Sequence, residues 1–81
     1  MRVLISYPTD IGIFDIGQSE DKEYHVIFDD TSLGAFTSIQ EAVDNLITNK
    51  TSAVIDPNTN KEVDTSSLGI PQDYTEWDSS Y

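Results

Sequence analysis

The stretch TSIQEAVDNLITN, residues 37–49, decides the fold of this chain. Its apolar residues recur at i, i+3, i+4, i+7 and i+8, a spacing that places them along one side of an α-helix. They are Ile39, Ala42, Val43, Leu46 and Ile47. The period predicts an amphipathic helix over about residues 38–49, whose apolar face must be covered by another part of the chain.

Both ends of this helix carry capping signals. Ser38 followed by Glu41 fits a capping box, and Thr37 with Gln40 fits the same pattern one residue earlier. Asn49 suits the left-handed residue that ends many helices. The capping residues therefore predict the same limits as the apolar period.

Short apolar runs on both sides of the helix predict β-strands. Before the helix they are RVLIS, IGIFDI and KEYHVIFD, with a turn at YPTD and a loop at GQSED. A turn at DTSLG then leads into LGAF, a further short extended piece. After the helix, SAVID and KEVD predict two strands joined by the turn PNTN.

The run KEYHVIFD, residues 22–29, shows the clearest alternation of a strand. One face carries apolar and aromatic side chains: Tyr24, Val26 and Phe28. The other face carries mainly polar ones: Glu23, His25, Ile27 and Asp29. RVLIS, in contrast, is a short apolar run with β-branched residues and predicts a strand buried on both sides.

This order of elements predicts an α+β fold, a small antiparallel sheet with one amphipathic helix packed on one face. Residues 1–69 would form a single domain, and residues 70–81 an acidic aromatic tail, either mobile or docked through Tyr74 and Trp77. The expected core draws on every element: Val3, Ile5, Ile13, Tyr24, Val26, Phe28, Phe36, Ile39, Val43, Leu46, Ile47, Val54 and Val63.

The charge of the chain excludes several classes of partner. Fifteen acids against four bases give a net charge of −11, which opposes direct binding to nucleic acid and to anionic membranes. The apolar run after Met1 is too short for a leader or a membrane span. The chain has no cysteine, so we expect no thiolate metal site and a cytoplasmic location.

The segment DPNTNKEVD, residues 56–64, raises the question of a calcium site. Asp56, Asn58 and Asn60 supply oxygens at positions 1, 3 and 5 of a calcium loop. Lys61 stands where that loop needs glycine, and Ser67 stands where it needs a bidentate glutamate. The pattern favours an ordinary turn, and we expect no metal site.

Catalytic patterns are weak throughout. The single histidine, His25, lies in a predicted strand, and no Ser or Asp is paired with it by spacing. The acids near it could supply a general acid and base, but their spacing selects no pair. The sequence has no glycine-rich phosphate loop and no His/Cys cluster. We expect a protein that is not an enzyme and uses no cofactor.

Acidic residues concentrate in two blocks, since residues 20–30 and residues 63–81 each sum to −4. In the first block, strand and loop acids would form an elongated negative edge. The helix adds acids on its wet face, three residues apart. In the second block, acids alternate with aromatic residues, which are favoured anchors in interfaces. The predicted partner-binding residues are Glu20, Asp21, Glu23, Asp29, Asp30, Glu41, Asp44, Asp73, Tyr74, Glu76, Trp77 and Asp78.

In its small size, its acidity and its lack of cysteines and enzyme motifs, the chain resembles small phage-encoded inhibitors, among them anti-CRISPR proteins and DNA mimics. The resemblance implies a stoichiometric inhibitor that binds the basic, nucleic-acid-binding groove of a host protein and acts in the host cytoplasm. Its carboxylates would take the place of phosphates. The alternative is a small acidic structural or regulatory accessory domain whose charge only keeps it soluble.

Overall fold

The computed structural model describes residues 2–79, and in this range four strands precede a single α-helix, which three shorter strands and two 3-10 helices follow. The elements are β1 (Arg2–Thr9), β2 (Gly12–Gln18), β3 (Tyr24–Phe28), β4 (Thr31–Phe36), α1 (Ile39–Ile47), β5 (Val54–Ile55), β6 (Glu62–Val63), the 3-10 helices η1 (Thr65–Ser67) and η2 (Tyr74–Glu76), and β7 (Asp78–Ser79). The predicted α+β fold, with one helix packed against an antiparallel sheet, is confirmed.

The first four strands form an antiparallel meander. In the described part of the chain β7 joins it as a fifth strand, which gives the order β4-β3-β2-β1-β7. Strands β5 and β6 pair separately as a small hairpin. The register sets Phe14 opposite Phe28 and Ile16 opposite Val26, so the apolar face of the sheet is continuous across its centre.

Ser38 is the N-cap of α1, as predicted, whereas the Glu41 side chain of the predicted capping box bonds to Thr37. Ser38 has an extended backbone (φ −150°) and its hydroxyl accepts a hydrogen bond from the backbone N–H of Glu41 at 3.1 Å. The Glu41 carboxylate accepts a bond from the Thr37 hydroxyl at 2.8 Å. One of the N–H groups that the first turn leaves without a helical partner is thereby satisfied.

The C-terminus of α1 ends in a Schellman motif. Asn49 is left-handed (φ 59°), the Asn49 N–H donates to the Leu46 carbonyl at 3.2 Å, and the Lys50 N–H donates to the Asn45 carbonyl at 2.8 Å. The buried Thr65 hydroxyl also donates to the Leu46 carbonyl. The predicted stop at Asn49 is confirmed, and η1 is attached to this end of the helix.

The core differs from its prediction mainly in β2. Ile13 was expected inside but is 57% exposed, whereas Phe14 and Ile16 are fully buried. The sequence IGIFDI offers apolar residues to both faces of a strand, and only pairing with β3 selects one of them. The choice allows the Phe14 ring to stack on Phe28 with centroids 4.6 Å apart.

The remaining predicted core residues fall into two groups. The buried ones are Ile5, Val26, Phe28, Val43, Leu46 and Val54. The half-buried ones are Val3, Tyr24, Phe36, Ile39, Ile47 and Val63. Buried residues that the prediction omitted are Phe14, Ile16, Gly17, Leu33, Ala42, Thr65, Ile70 and Trp77. In β1 only Ile5 is buried, so the prediction of a strand buried on both sides was wrong.

Two turns lie elsewhere than predicted. At YPTD the strand continues to Thr9, and Pro8 pairs with Ile13. Among the described residues β7 pairs only with Ile5 and Ser6 of β1, so Pro8 lies beyond that pairing at the sheet edge, where a missing N–H is tolerated. The chain turns instead just before Gly12, whose φ is 140°.

The predicted turn at DTSLG is also shifted. The turn consists of Asp29 and Asp30, with φ 53° and 60°, between the paired residues Phe28 and Thr31. Leu33 is an extra residue in β4, because Val26 pairs with Gly34 and Ile27 with Ser32. The bulge lets Leu33 reach the core, where it is buried.

The C-terminal segment packs on the rest of the chain as far as it is described. Ile70 and Trp77 are buried within the same apolar cluster as the sheet and α1. The Trp77 ring lies 5.8 Å from that of Tyr7, and its Nε1–H donates to the Pro71 carbonyl at 3.3 Å. Of the two alternatives for this tail, docking through Trp77 is observed, while Tyr74 stays 37% exposed. Ser80 and Tyr81 lie outside the described residues.

Candidate functional site

An acidic cleft lies between α1 and the segment around η2. It has a volume of about 500 Å³. Gln40 bridges its two sides, because the same Nε2 donates to the Asp44 carboxylate at 2.9 Å and to the Gln72 carbonyl at 3.0 Å. The residues that line this α1–η2 cleft are Gln40, Asp44, Gln72, Asp73 and Glu76.

Asp73 is held at the start of η2 by its own capping bonds. Its Oδ1 accepts hydrogen bonds from the Thr75 hydroxyl at 2.6 Å and from the Thr75 backbone N–H at 2.9 Å. These bonds favour the charged form and hold the pKa of the Asp73 carboxyl below its ordinary value of 3.8. Asp73 therefore presents a fixed negative charge at one side of the cleft.

The cleft is open to solvent, and its polar lining is suited to binding positively charged groups. Its lining consists of carboxylates and amides, and no Lys or Arg of the described residues takes part in it. No group of three or more His, Cys, Asp or Glu within residues 2–79 is arranged to hold a metal ion. The hydrogen bonds to Asp44 and Asp73 use only Oδ1 of each carboxylate, so the other oxygen of each can pair with a cationic group of another molecule.

The structure does not form the elongated negative edge that was predicted from residues 20–30. β3 lies between β2 and β4, in the interior of the sheet. Glu23 precedes the first residue of this strand and Asp29 follows its last residue. At about 3.3 Å per residue these two positions lie roughly 20 Å apart, at opposite ends of the strand. The acids of this block are therefore divided between two loops.

The loop between β2 and β3 is also of mixed charge. Glu20 lines a shallow surface depression together with Arg2 and Lys22. Within the same loop the Ser19 hydroxyl donates to the Asp21 carboxylate, and this bond holds the pKa of Asp21 below its ordinary value of 3.8. The neighbouring bases offset part of the negative charge that the sequence places here.

The structure brings together only some of the predicted partner-binding residues. Asp44, Asp73 and Glu76 share the α1–η2 cleft. Glu41 lies exposed one turn before Asp44 on the same helix, and Tyr74 is exposed within η2. Trp77 belongs to the core of the chain itself, and Asp78 pairs with Ser6 at the start of β7.

Sequence reasoning missed the two glutamines of the cleft. Gln40 stands four residues before Asp44 on the helix, and this i, i+4 spacing is a signal that could have identified the pair. Gln72 contributes a backbone carbonyl from a distant segment, and no local pattern indicates that. A second missed contact joins His25 Nδ1 and Ser32 Oγ, 2.9 Å apart on neighbouring strands.

The segment DPNTNKEVD turns the chain between β5 and β6. The Asp56 carboxylate accepts a bond from the Asn58 N–H at 2.8 Å, and Asp56 closes the loop through backbone bonds to Asn60 and Lys61. The left-handed Asn60 (φ 60°) completes the reversal. The predicted turn is confirmed.

We therefore expect no tight calcium binding by this turn, because Lys61 stands where a calcium loop needs glycine and Ser67 cannot supply the bidentate carboxylate. Titration calorimetry at physiological salt is expected to show no saturable heat of calcium binding. A site with micromolar affinity that disappears on Asp56→Ala would contradict this expectation.

Comparison of the chain with protein-family models, with curated proteins and with solved structures found no match in any of the three. Among residues 2–79, no helix is long and apolar enough to cross a membrane. The longest, α1, has nine residues, whereas a membrane-spanning helix needs about 20.

The lowered pKa of Asp73 predicts a specific dependence on pH. Because the folded pKa lies below the unfolded value, the charged carboxylate stabilises the fold above the unfolded pKa, and this contribution is lost as the pH falls through the folded pKa. Asp73→Asn retains a capping oxygen but does not titrate. The difference in unfolding free energy between wild type and variant is expected to move in favour of wild type as pH rises from about 2 to 6. A carboxyl titration midpoint for Asp73 at or above 3.8, measured by NMR, would contradict the assignment.

Proposed function

We propose that this protein is a non-enzymatic inhibitor that binds the basic, nucleic-acid-binding groove of another protein. The observation that carries the proposal is the α1–η2 cleft, where carboxylates from two distant segments meet without a base in the lining. A net charge of −11 on 81 residues attracts a basic surface over a longer range than the contact itself.

The spacing of the carboxylates supports this choice of partner. Glu41 and Asp44 are i, i+3 neighbours on α1, with Cβ atoms about 5–6 Å apart. Asp73 and Glu76 bring further charge from the opposite side of the cleft. Each strand of B-DNA carries one charge per about 3.4 Å along the helix axis, so paired rows of carboxylates on two elements can contact a groove that is built to hold phosphates.

The resemblance to small acidic phage-encoded inhibitors supports the same proposal. An anti-CRISPR protein or a similar anti-defence protein would act in the cytoplasm of the host cell, against a protein whose Lys and Arg residues contact nucleic acid. In this role Asp44, Asp73 and Glu76 would bind the basic side chains directly. Tyr74, exposed beside them, would add an aromatic contact of the kind favoured in interfaces.

The proposal predicts capture of a basic partner in a strongly salt-dependent manner. The immobilised protein is incubated with lysate of the host cell and washed with increasing salt, because exposed charges are screened beyond about 8–10 Å at moderate ionic strength. The captured protein is then purified, and its binding to its own nucleic acid is measured with and without the inhibitor. We expect the inhibitor to compete with nucleic acid for the captured protein. The rate at which the inhibitor and this protein associate is expected to fall by about tenfold or more with added salt.

Matched charge variants locate the contact. One variant neutralises the acids of the α1–η2 cleft: Asp44→Asn, Asp73→Asn and Glu76→Gln. The control removes the same charge from the loop between β2 and β3: Glu20→Gln, Asp21→Asn and Glu23→Gln. The first variant is expected to slow association by about tenfold and the second by much less.

Two outcomes would overturn the proposal. If no basic protein is retained even at low salt, or if both variants bind as well as the parent, charge mimicry at this cleft is excluded. The accessory-domain alternative, in which the charge serves solubility alone, would then stand.

A further inference from the structure

Three hairpin turns meet at one end of the sheet, away from the loop between β2 and β3. They are the turn between β1 and β2 around Ile11, the Asp29–Asp30 turn, and the turn between β5 and β6 that contains Pro57. Two hollows share Phe28 and Asp29 at this end. One, of about 320 Å³, is lined further by Ile11, Gly12, Ile13 and Pro57. The other, of about 200 Å³, is lined further by Thr31, Leu33, Ala53, Val54 and Ile55.

This hairpin end, defined by the two hollows, carries exposed aliphatic side chains. Among the described residues the exposed large hydrophobic side chains are Ile13 (57%), Ile55 (47%) and Tyr74 (37%). Ile13 lines the first hollow and Ile55 the second. Ile13 and Ile55 therefore place two exposed aliphatic side chains at this end of the sheet, each beside a hollow that an apolar side chain of another molecule could enter.

The Asp29–Asp30 turn is costly for the fold in two ways. Both residues are left-handed (φ 53° and 60°), in a two-residue hairpin turn where Asn-Gly is the preferred pair. Their carboxylates are also adjacent like charges. Aspartate adopts the left-handed conformation more readily than most residues, so the turn holds two carboxylates side by side at this end of the sheet.

We propose that the hairpin end binds a basic amphipathic segment of another protein. Apolar side chains of that segment would enter the two hollows against Ile13 and Ile55, and its Lys or Arg residues would pair with Asp29 and Asp30. The negative charge of Asp29 and Asp30 beside the hollows favours a basic partner over a second copy of this chain. A second copy would bring the same carboxylates against each other, and like charges repel. The surface shares no residue with the α1–η2 cleft, so the inference does not rest on the function proposed above.

The inference is tested with two synthetic peptides of equal positive charge. One alternates arginine with leucine, and in the other each leucine is replaced by serine. Amide chemical shifts of the labelled protein are followed during titration with each. The leucine peptide is expected to shift the amide signals of residues 11–13, 28–31 and 53–57 until they saturate. The affinity of the serine peptide for this end is expected to be lower by about tenfold or more.

Two pairs of variants identify the contributions. Ile13→Thr with Ile55→Thr keeps β-branched residues in the strands and removes apolar surface, and it is expected to weaken binding of the leucine peptide about tenfold. Ile27→Thr makes the same replacement at a half-buried strand position that lines neither hollow; it is the control and is expected to leave the affinity unchanged. Asp29→Asn with Asp30→Asn suits the left-handed turn and removes only charge. It is expected to weaken binding more than Glu20→Gln with Glu23→Gln does.

Several results would overturn the inference. One is an equal response to both peptides, or shifts spread over all acidic surfaces, since either indicates attraction by net charge alone. Another is concentration-dependent shifts at Ile13 and Ile55 in the protein without peptide, which would assign this surface to self-association. A third is unchanged affinity in the isoleucine variant, provided that its thermal unfolding shows it to be folded.

Discussion

Trp77→Ala is expected to lower the free energy of unfolding by about 3–5 kcal/mol, the usual cost of removing a buried large aromatic side chain. Trp77 is 5% exposed, packs against Tyr7 of β1 and joins Ile70 in the core. Domains of this size often have a total stability of only about 5 kcal/mol or somewhat more. The variant is therefore expected to be partly unfolded at moderate temperature, as measured by urea denaturation followed by circular dichroism.

Tyr74→Ala provides the matched control for Trp77, because it removes an aromatic side chain from the same segment at a more exposed position. Its cost is expected to be well below that of Trp77→Ala. Trp77→Phe, which keeps a ring against Tyr7 but loses the bond to the Pro71 carbonyl, is expected to fall between the two. Equal stabilities of the two alanine variants would mean that residues 70–79 do not contribute to the core.

Leu46→Ala is expected to cost about 2–5 kcal/mol, because it leaves a cavity at a fully buried position of α1. The backbone carbonyl of Leu46 also accepts a hydrogen bond from the Thr65 hydroxyl, and this bond attaches η1 to the helix. The substitution leaves that bond in place, so the loss reports packing of the side chain. Urea denaturation with an unchanged m-value is the measurement.

Ile47→Ala tests the neighbouring position, where the side chain is only half-buried. Its cost is expected to be smaller than that of Leu46→Ala, in proportion to the apolar area it removes from the core. A cost for Leu46→Ala below roughly 0.5 kcal/mol, the range of surface substitutions, would contradict the packing of α1 on the sheet.

Stability and the proposed function are linked through the C-terminal segment. The α1–η2 cleft exists because Trp77 and Ile70 hold the segment against the core, which places Asp73 and Glu76 beside Asp44. A Trp77→Ala variant that remained folded would still carry every carboxylate of the cleft. Its binding to a basic partner is nevertheless expected to weaken, because the carboxylates would no longer be held together.

The helix was determined by its own sequence. The apolar period, the Ser38 cap and the left-handed Asn49 act over a few residues, and all three were predicted and observed. The antiparallel sheet beside it followed from the order of the apolar runs. Such local signals are sufficient because each depends on neighbours within one or two turns of the chain.

Which side chains of β2 point into the core was decided only by the tertiary structure. Ile13 and Phe14 are adjacent, apolar and equally suited to a strand, so the sequence alone selected the wrong one for the core. Pairing with β3 decides the matter, since it brings Phe14 against Phe28 and a shift of one residue would invert the whole strand.

The same division holds for the candidate site. Composition and spacing predicted the negative charge and named Asp44, Asp73 and Glu76 among other acids. The denser acidic block of the sequence, residues 20–30, is nevertheless divided between the two ends of β3. Only the docking of the C-terminal segment brings Asp44 together with residues about 30 positions away along the chain. The physical reason is that contact between distant segments depends on how the whole core packs. The local pattern of charge carries no information about that packing.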